Sequence, residues 1–397
     1  MTLLRSARFP AVLLLVAAAL GLVIANLPFG EGVLAVQHAR VGMPGTPFDL
    51  SVGHWISDGL LAIFFFTVAV ELQYELTAGE LRSARRAVLP AIAAAGGVLV
   101  PIVVYLAITM GSGAGAEEVA GWPIPTATDI AFALGVLAVF GKGLPPALRV
   151  FLLALAILDD IVGIVFIAVL FATDVNILLL VAALVVVAVF GALSRAFVWA
   201  ADRSRAAAAV LIVVLVVLGV LTWALVLASG VHATIAGVLL GLAVSQSAGL
   251  RAAHALEPWV NGLVLPLFAF SAALVAIPAI GLGELSPAFW GVLLALPLGK
   301  LIGITGAGWL GQRLLHQEGN PRLEFGDLVA AGALGGIGFT VSLLLAQLAF
   351  AGEAVLRDEA TLAVLAGSLI SLMVSAVVVS WRARHHRRLA RLSEGTS

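Results

Sequence analysis

About twelve stretches of this chain run for close to twenty residues with little but apolar side chains. A membrane-crossing helix needs about 20 such residues, so these runs constrain the fold before anything else is considered. The expected architecture is an all-α polytopic membrane protein of about 12 transmembrane helices. They fall near 9–28, 56–77, 88–109, 125–141, 146–172, 177–199, 206–224, 230–247, 259–282, 288–311, 328–350 and 361–381. A membrane β-barrel would show short segments of alternating polarity instead. Arg5 and Arg8 precede the first run as in a signal peptide, but the run exceeds the usual h-region of about 7–15 residues and no A-x-A-like site closes it. It reads as a retained span.

Charge supports this class. Only 11% of the 397 residues are charged and 62% are apolar, too little charge to cover a soluble protein of this size. A net charge of −1 with no basic stripe beside aromatics speaks against a nucleic-acid partner; membrane lipid is the expected one. The absence of cysteine excludes disulfides, thiolate metal sites and a cysteine nucleophile.

The basic residues orient the chain. With twelve spans and both termini inside, Arg82, Arg85, Arg86, Lys142, Arg149, Arg195, Arg203, Arg205, Arg251, Arg313 and Arg322 all fall on the inner side, with the N-terminal and C-terminal arginines. The outer side receives Arg40 and Arg357 alongside many acids, the asymmetry of a multi-pass protein with cytoplasmic termini. The chain reads as one integral membrane domain, 1–397. Within it, 29–55 is an outside loop with a turn or small hairpin, 312–327 is a polar inside loop, and 382–397 is a basic cytoplasmic tail.

Four ionisable residues remain deep in apolar sequence: Asp129, Asp159, Asp160 and Lys300. A charge at the bilayer centre costs about 2.5–3.5 kcal/mol on insertion scales. A purely structural ion pair would use Lys300 and one aspartate, which leaves carboxylate in excess. Two adjacent carboxylates at one depth repel each other and together hold either a proton or a cation. Oxygen ligands without sulfur suit a hard cation. Protons and a hard cation competing for one site is the minimum chemistry of exchange.

Proline and glycine mark the second feature. Trp122-Pro123-Ile124-Pro125-Thr126-Ala127-Thr128-Asp129 opens the fourth span, and Gly332-Ala333-Leu334-Gly335-Gly336-Ile337-Gly338 interrupts the eleventh. Close helix packing would use glycines too. Breaks in the middle members of spans 3–5 and 10–12, however, are the pattern of inverted repeats with two interrupted, crossing helices. Half-helix ends would then meet at mid-membrane, with Asp129 offsetting the positive ends and Lys300 the negative ones.

At these residues the chain resembles the NhaA-type sodium/proton antiporters. The likeness rests on Pro125-Thr-Ala-Thr-Asp-Ile-Ala-Phe-Ala-Leu-Gly135, Ala154-Leu-Ala-Ile-Leu-Asp-Asp160, Gly299-Lys300 and Gly335-Gly-Ile-Gly-Phe-Thr340. It extends through Phe64-Phe-Phe, His232 and Leu265-Pro-Leu-Phe-Ala-Phe270, over essentially all twelve spans. The resemblance implies Asp160 as principal ligand of the transported Na⁺, with Asp159 and Thr128 beside it. Lys300 would pair with Asp159 when sodium is absent, and Asp129 would compensate helix ends. It further implies an inner-membrane, electrogenic exporter of Na⁺ or Li⁺ against entering protons, active at alkaline pH, serving pH and sodium homeostasis. No cofactor beyond the transported ions is implied, and a homodimer would form through the 29–55 loop.

Two regions depart from the family pattern where it is associated with pH response. After the second span Glu71 and Glu75 are present, but Tyr74 stands where a base is usual; after the eighth, Ala253 stands where an acid is usual, with one at Glu257 instead. Glu71 and Glu75 read either as pH-responsive groups or as solvated acids balanced by Arg82 and Arg85. His232 reads either as a packed, hydrogen-bonded histidine or as a sensor.

Three alternatives stand beside exchange. An intramembrane aspartyl protease would carry a G-x-G-D motif, and the only Gly-Asp, Gly326-Asp327, lies in the inside loop. A channel favours fast release and often a symmetric pore. A sodium- or proton-coupled carrier of another solute is the nearest competitor.

Overall fold

The structure, a computed structural model, describes residues 8–172, 174–278, 281–315 and 323–394. Arg5 and Arg322 lie outside the described residues, as does the end of the tail. The chain is almost entirely helical, because a backbone in lipid must satisfy its own polar groups and a helix does so locally. Among the described residues, eight helices are long and apolar enough to cross a membrane, and three bent pairs pass the same test together. One shorter apolar helix, Thr234–Ala243, completes the set of twelve regions.

The twelve regions match the expected ones in order, with corrections at their edges. The eighth was expected over 230–247, but only Thr234–Ala243 is helical, about 15 Å at 1.5 Å per residue. Gly230 takes a left-handed φ of +81° before it, and Val244 turns extended after it. The ninth begins at Gln246 rather than 259 and ends by Ala272. Pro258 is absorbed there because a π-helical turn, Val260–Val264, follows it. Gly326-Asp327 is not in a loop but in the first turn of the helix Phe325–Gly335. The basic segment from 382 is helical as far as Glu394, continuing the last helix from Ala354.

The chain folds as two compact units. The first contains Leu13–Gly79 and Ile164–Leu274. In it, Val52–Thr77 packs against Thr234–Ala243, where a Cβ added to Gly237 would strike the Ala62 carbonyl. The abrupt end of that short helix is satisfied by side chains. Gln73 Nε2 donates to the Leu242 and Val244 carbonyls at 2.7 and 2.9 Å, and Ser194 Oγ accepts from the Ser245 amide at 2.8 Å. In the outer segment, helix Gly30–His38 follows the first span after a bend of 111°. Arg40–Val41 then pairs antiparallel with Leu50–Ser51.

The second unit contains Glu80–Gly163 and the chain from Val275 onward. Here Ala84–Gly111 packs along Pro287–Leu314. The two backbones approach closely at Gly96 and Gly303, where a Cβ on either would meet the other's carbonyl. That crossing brings the stem of Lys300 beside Gly97. Both broken spans lie in this unit: Ala116–Thr126 with Ile130–Phe140, bent by 44°, and Phe325–Gly335 with Phe339–Ala349, bent by 47°. Pro123 and Pro125 withhold the amides a continuous helix needs in the first. Gly335, Gly336 and Gly338 weaken helix propensity in the second.

Candidate functional site

The two breaks meet. The Asp129 amide donates to the Ile337 carbonyl at 2.6 Å. Asp129 is the N-cap of Ile130–Phe140, and its Oδ1 accepts from the Ala131 and Phe132 amides at 3.1 and 3.2 Å. Its other oxygen accepts from the Thr340 amide at 3.2 Å and the Thr340 hydroxyl at 2.7 Å. One buried carboxylate therefore caps two helix N-termini, where backbone amides are unpaired and the dipole favours negative charge.

Thr128, one residue earlier, lies at the other chemical end of the crossing. Its hydroxyl is 2.9 Å from the carbonyl of Gly335, the last residue of Phe325–Gly335, and 2.7 Å from Asp159 Oδ2. A hydroxyl has one proton, so these two acceptors share it. The Thr128 oxygen accepts in turn from Lys300 Nζ at 3.1 Å.

Lys300 follows the π-helical turn Ala295–Gly299, which contains Pro297. Its Nζ is 2.6 Å from Asp159 Oδ2, with both side chains fully buried. Lys300 thus meets carboxylate and hydroxyl; among the described residues it donates to no helix-end carbonyl. The negative end of Phe325–Gly335 is met by the Thr128 hydroxyl instead.

Asp159 and Asp160 are consecutive on Pro146–Leu170. Asp159, fully buried, takes Lys300, while Asp160, its helical neighbour, is only half-buried. Asp159 Oδ1 is buried and has no hydrogen-bond partner among the described residues. A buried acceptor without a donor is costly and is chemically what a cation ligand provides. The donor set of carboxylate, hydroxyl and carbonyl oxygens suits a hard cation such as sodium.

The remaining expected residues lie in the first unit, in two groups. Glu71 is within electrostatic range of Glu75, Glu257 and His254. His232 lies apart from them. Its Nε2 is 3.2 Å from Asp58 Oδ1, its Nδ1 is 2.9 Å from the Thr234 hydroxyl, and each member of the His232–Asp58 pair is 10% exposed. The Trp223 indole donates to the Asp58 carbonyl at 2.9 Å and stacks on Trp55. Sequence alone does not single out Asp58. Its signal was an acid inside an apolar helix, masked by its place near the expected start of that span.

Comparison with known proteins follows the same lines. Residues 1–379 match the family described as Na⁺/H⁺ antiporter 1. The chain is 57% identical over 388 residues to the Na(+)/H(+) antiporter NhaA 2 of Clavibacter michiganensis subsp. michiganensis, covering 98% of this chain and 93% of that one. It is 42% identical over 383 residues to the Na(+)/H(+) antiporter NhaA of Tropheryma whipplei, covering 96% and 95%. To the Na(+)/H(+) antiporter NhaA of Streptomyces antibioticus it is 44% identical over 397 residues, covering 97% and 80%.

Proposed function

This chain belongs to the Na⁺/H⁺ antiporter 1 family, and from that membership we propose that it exchanges Na⁺ for H⁺ at the site built on Asp159 and Asp160. It is a multi-pass membrane transporter and not an enzyme. The observation that carries the site assignment is the sharing of Asp159 Oδ2 by Lys300 and Thr128, at 2.6 and 2.7 Å, beside an unpartnered Oδ1.

Sodium and the Lys300 ammonium compete for the same carboxylate. Na⁺ entering from the cytoplasm takes the oxygens of Asp159, Asp160 and Thr128, and the protons that balanced the acids are released. Alternating exposure then opens the site to the other face, where Na⁺ leaves, protons return and Lys300 regains Asp159. Asp129 keeps the broken helices paired through the cycle. Li⁺ follows the same route, and no resident cofactor is needed.

The basic residues support cytoplasmic termini and a plasma (inner) membrane location, with the exchanger serving pH and sodium homeostasis. Glu71, Glu75, Glu257 and His232 are the groups through which pH adjusts activity. The small ladder of Arg40–Val41 and Leu50–Ser51 offers strand edges to a second copy in a homodimer.

The test is a cation series on everted vesicles loaded with a pH-sensitive dye and energised before Na⁺, Li⁺, K⁺ or Ca²⁺ is added. Dequenching with Na⁺ and Li⁺ is expected. No response to any cation overturns the reading.

A further inference from the structure

A second charge cluster lies at the far end of Phe325–Gly335, and the exchange chemistry makes no use of it. Arg382, 4% exposed on the helix Ala354–Glu394, donates from Nε to Asp327 Oδ1 at 3.0 Å. Its terminal nitrogen donates to Glu324 Oε2 at 2.6 Å. His386, one turn further on, places Nε2 3.0 and 3.2 Å from the two oxygens of Asp327. Asp327 itself is 1% exposed. Ligand atoms of Glu324, Asp327 and His386 lie within 4.8 Å of one another, as around a metal. The Arg382 guanidinium already stands among them and donates to both acids, so the cluster is a fixed bond between two helices rather than an ion site.

Its position gives that bond a consequence. Asp327 and Gly335 are at opposite ends of one unbroken helix, eight residues or about 12 Å apart. Gly335 is the residue whose carbonyl accepts from Thr128 at the cation site. The same long helix also reaches the break, where Ser368 Oγ accepts from the Phe339 amide at 3.2 Å. Ala354–Glu394 therefore grips the broken span on both sides of its interruption. A hydrogen bond survives only within a few tenths of an ångström, so the height of Phe325–Gly335 along its neighbour decides whether Gly335 meets Thr128. A buried charge pair is weak evidence for stability, and setting register is its best-attested use.

We propose that the Arg382–Asp327 pair, with Glu324 and His386, is a register lock whose residues position the Gly335 carbonyl against Thr128 and so set the sodium affinity of a site about 12 Å away. The proposal rests on the exchange reading above and adds positioning residues to it.

The test uses the full chain in everted vesicles. The double variant Asp327→Asn/Arg382→Gln removes both buried charges together and leaves only the half-exposed Glu324 without its guanidinium. The lock predicts a Tm close to wild type, an unchanged maximal exchange rate and an apparent KM for Na⁺ raised about tenfold, the equivalent of one charge-assisted hydrogen bond. A merely structural pair predicts wild-type KM in the double variant, and that result overturns the lock. Glu324→Gln touches a half-exposed side chain and decides the matter should the double variant not insert. A two- to threefold rise in KM (roughly 0.4–0.7 kcal/mol) supports the lock, and no change overturns it. Spin labels at exposed Phe325 and Leu389, in a chain without native cysteine, give a readout independent of transport. Their distance distribution should broaden in the double variant; an unchanged distribution contradicts the lock. Wild-type vesicles silent to Na⁺ together with a broadened distribution would overturn the exchange reading and the role in sodium affinity, while the register constraint on the broken span would stand.

Discussion

The carboxylate of Asp129 crosses from one broken span to the other and accepts from both the amide and the hydroxyl of Thr340, at 3.2 and 2.7 Å. The same group caps its own helix through the Ala131 and Phe132 amides. Four donors thus converge on one buried acid, and two helix ends that would otherwise repel each other are held together.

Asp129→Ala should therefore destabilise the protein more than loss of an ordinary cap. Capping loss of about 0.5–2 kcal/mol is joined by orphaned donors costing about 1–3 kcal/mol. Asp129→Asn keeps the cap on Ile130–Phe140 but turns an amide NH2, itself a donor, toward the Thr340 donors, so it should fall between wild type and alanine. Thermal unfolding of the three proteins in one detergent gives the order.

Lys300→Gln strands the buried Asp159 and should lower stability by about 3–5 kcal/mol, as removal of one partner of a buried pair does. The double variant Asp159→Asn/Lys300→Gln removes both charges and should recover most of the lost Tm. It should recover no exchange, because the carboxylate is gone. Unchanged Tm in Lys300→Gln would contradict the 2.6 Å pair.

Thr128 is tested by shape against chemistry. Valine keeps the volume and loses the hydroxyl that reaches Asp159 and Gly335; serine keeps the hydroxyl. Thr128→Val should raise the apparent KM for Na⁺ about tenfold or more, from hydrogen bonds to charged groups worth about 1.5–3 kcal/mol. Thr128→Ser should stay within about threefold of wild type, a difference of roughly 0.7 kcal/mol. Dequenching across a sodium series measures both.

The His232–Asp58 contact, 3.2 Å from Nε2 to Oδ1, is charge-assisted only while His232 is protonated. His232→Gln replaces it with a contact that does not titrate. The pH profile of exchange should become less steep while Na⁺ still drives it. A profile superimposable on wild type would assign His232 to packing alone.

What the sequence made legible, and what it hid, follows from where the physics is local. Asp129, Asp159, Asp160 and Lys300 stood out because a charge in apolar sequence is expensive wherever its partner lies. The breaks were legible because Pro125 and Gly335-Gly336 weaken a helix by their own backbone chemistry. Asp327 was misplaced because the polar run before it looks like loop, and the arginine that buries it comes 55 residues later. The shortness of Thr234–Ala243 was equally hidden. Its end is closed by Gln73, 169 residues before Leu242, a partner that no local pattern reveals. Asp58 was passed over because an acid at a span's edge is ordinary, and His232, 174 residues along in the numbering, is what makes it unusual.

Competition between sodium and protons for one buried carboxylate site is the central claim, and calorimetric titration of the purified protein with Na⁺ across a pH series measures it directly. Because binding must displace protons, the apparent Kd should rise about tenfold per pH unit for each proton released, as the medium becomes more acidic. Asp160→Asn should show no binding heat at any pH. An apparent Kd independent of pH, or unaltered binding by Asp160→Asn, would contradict the account.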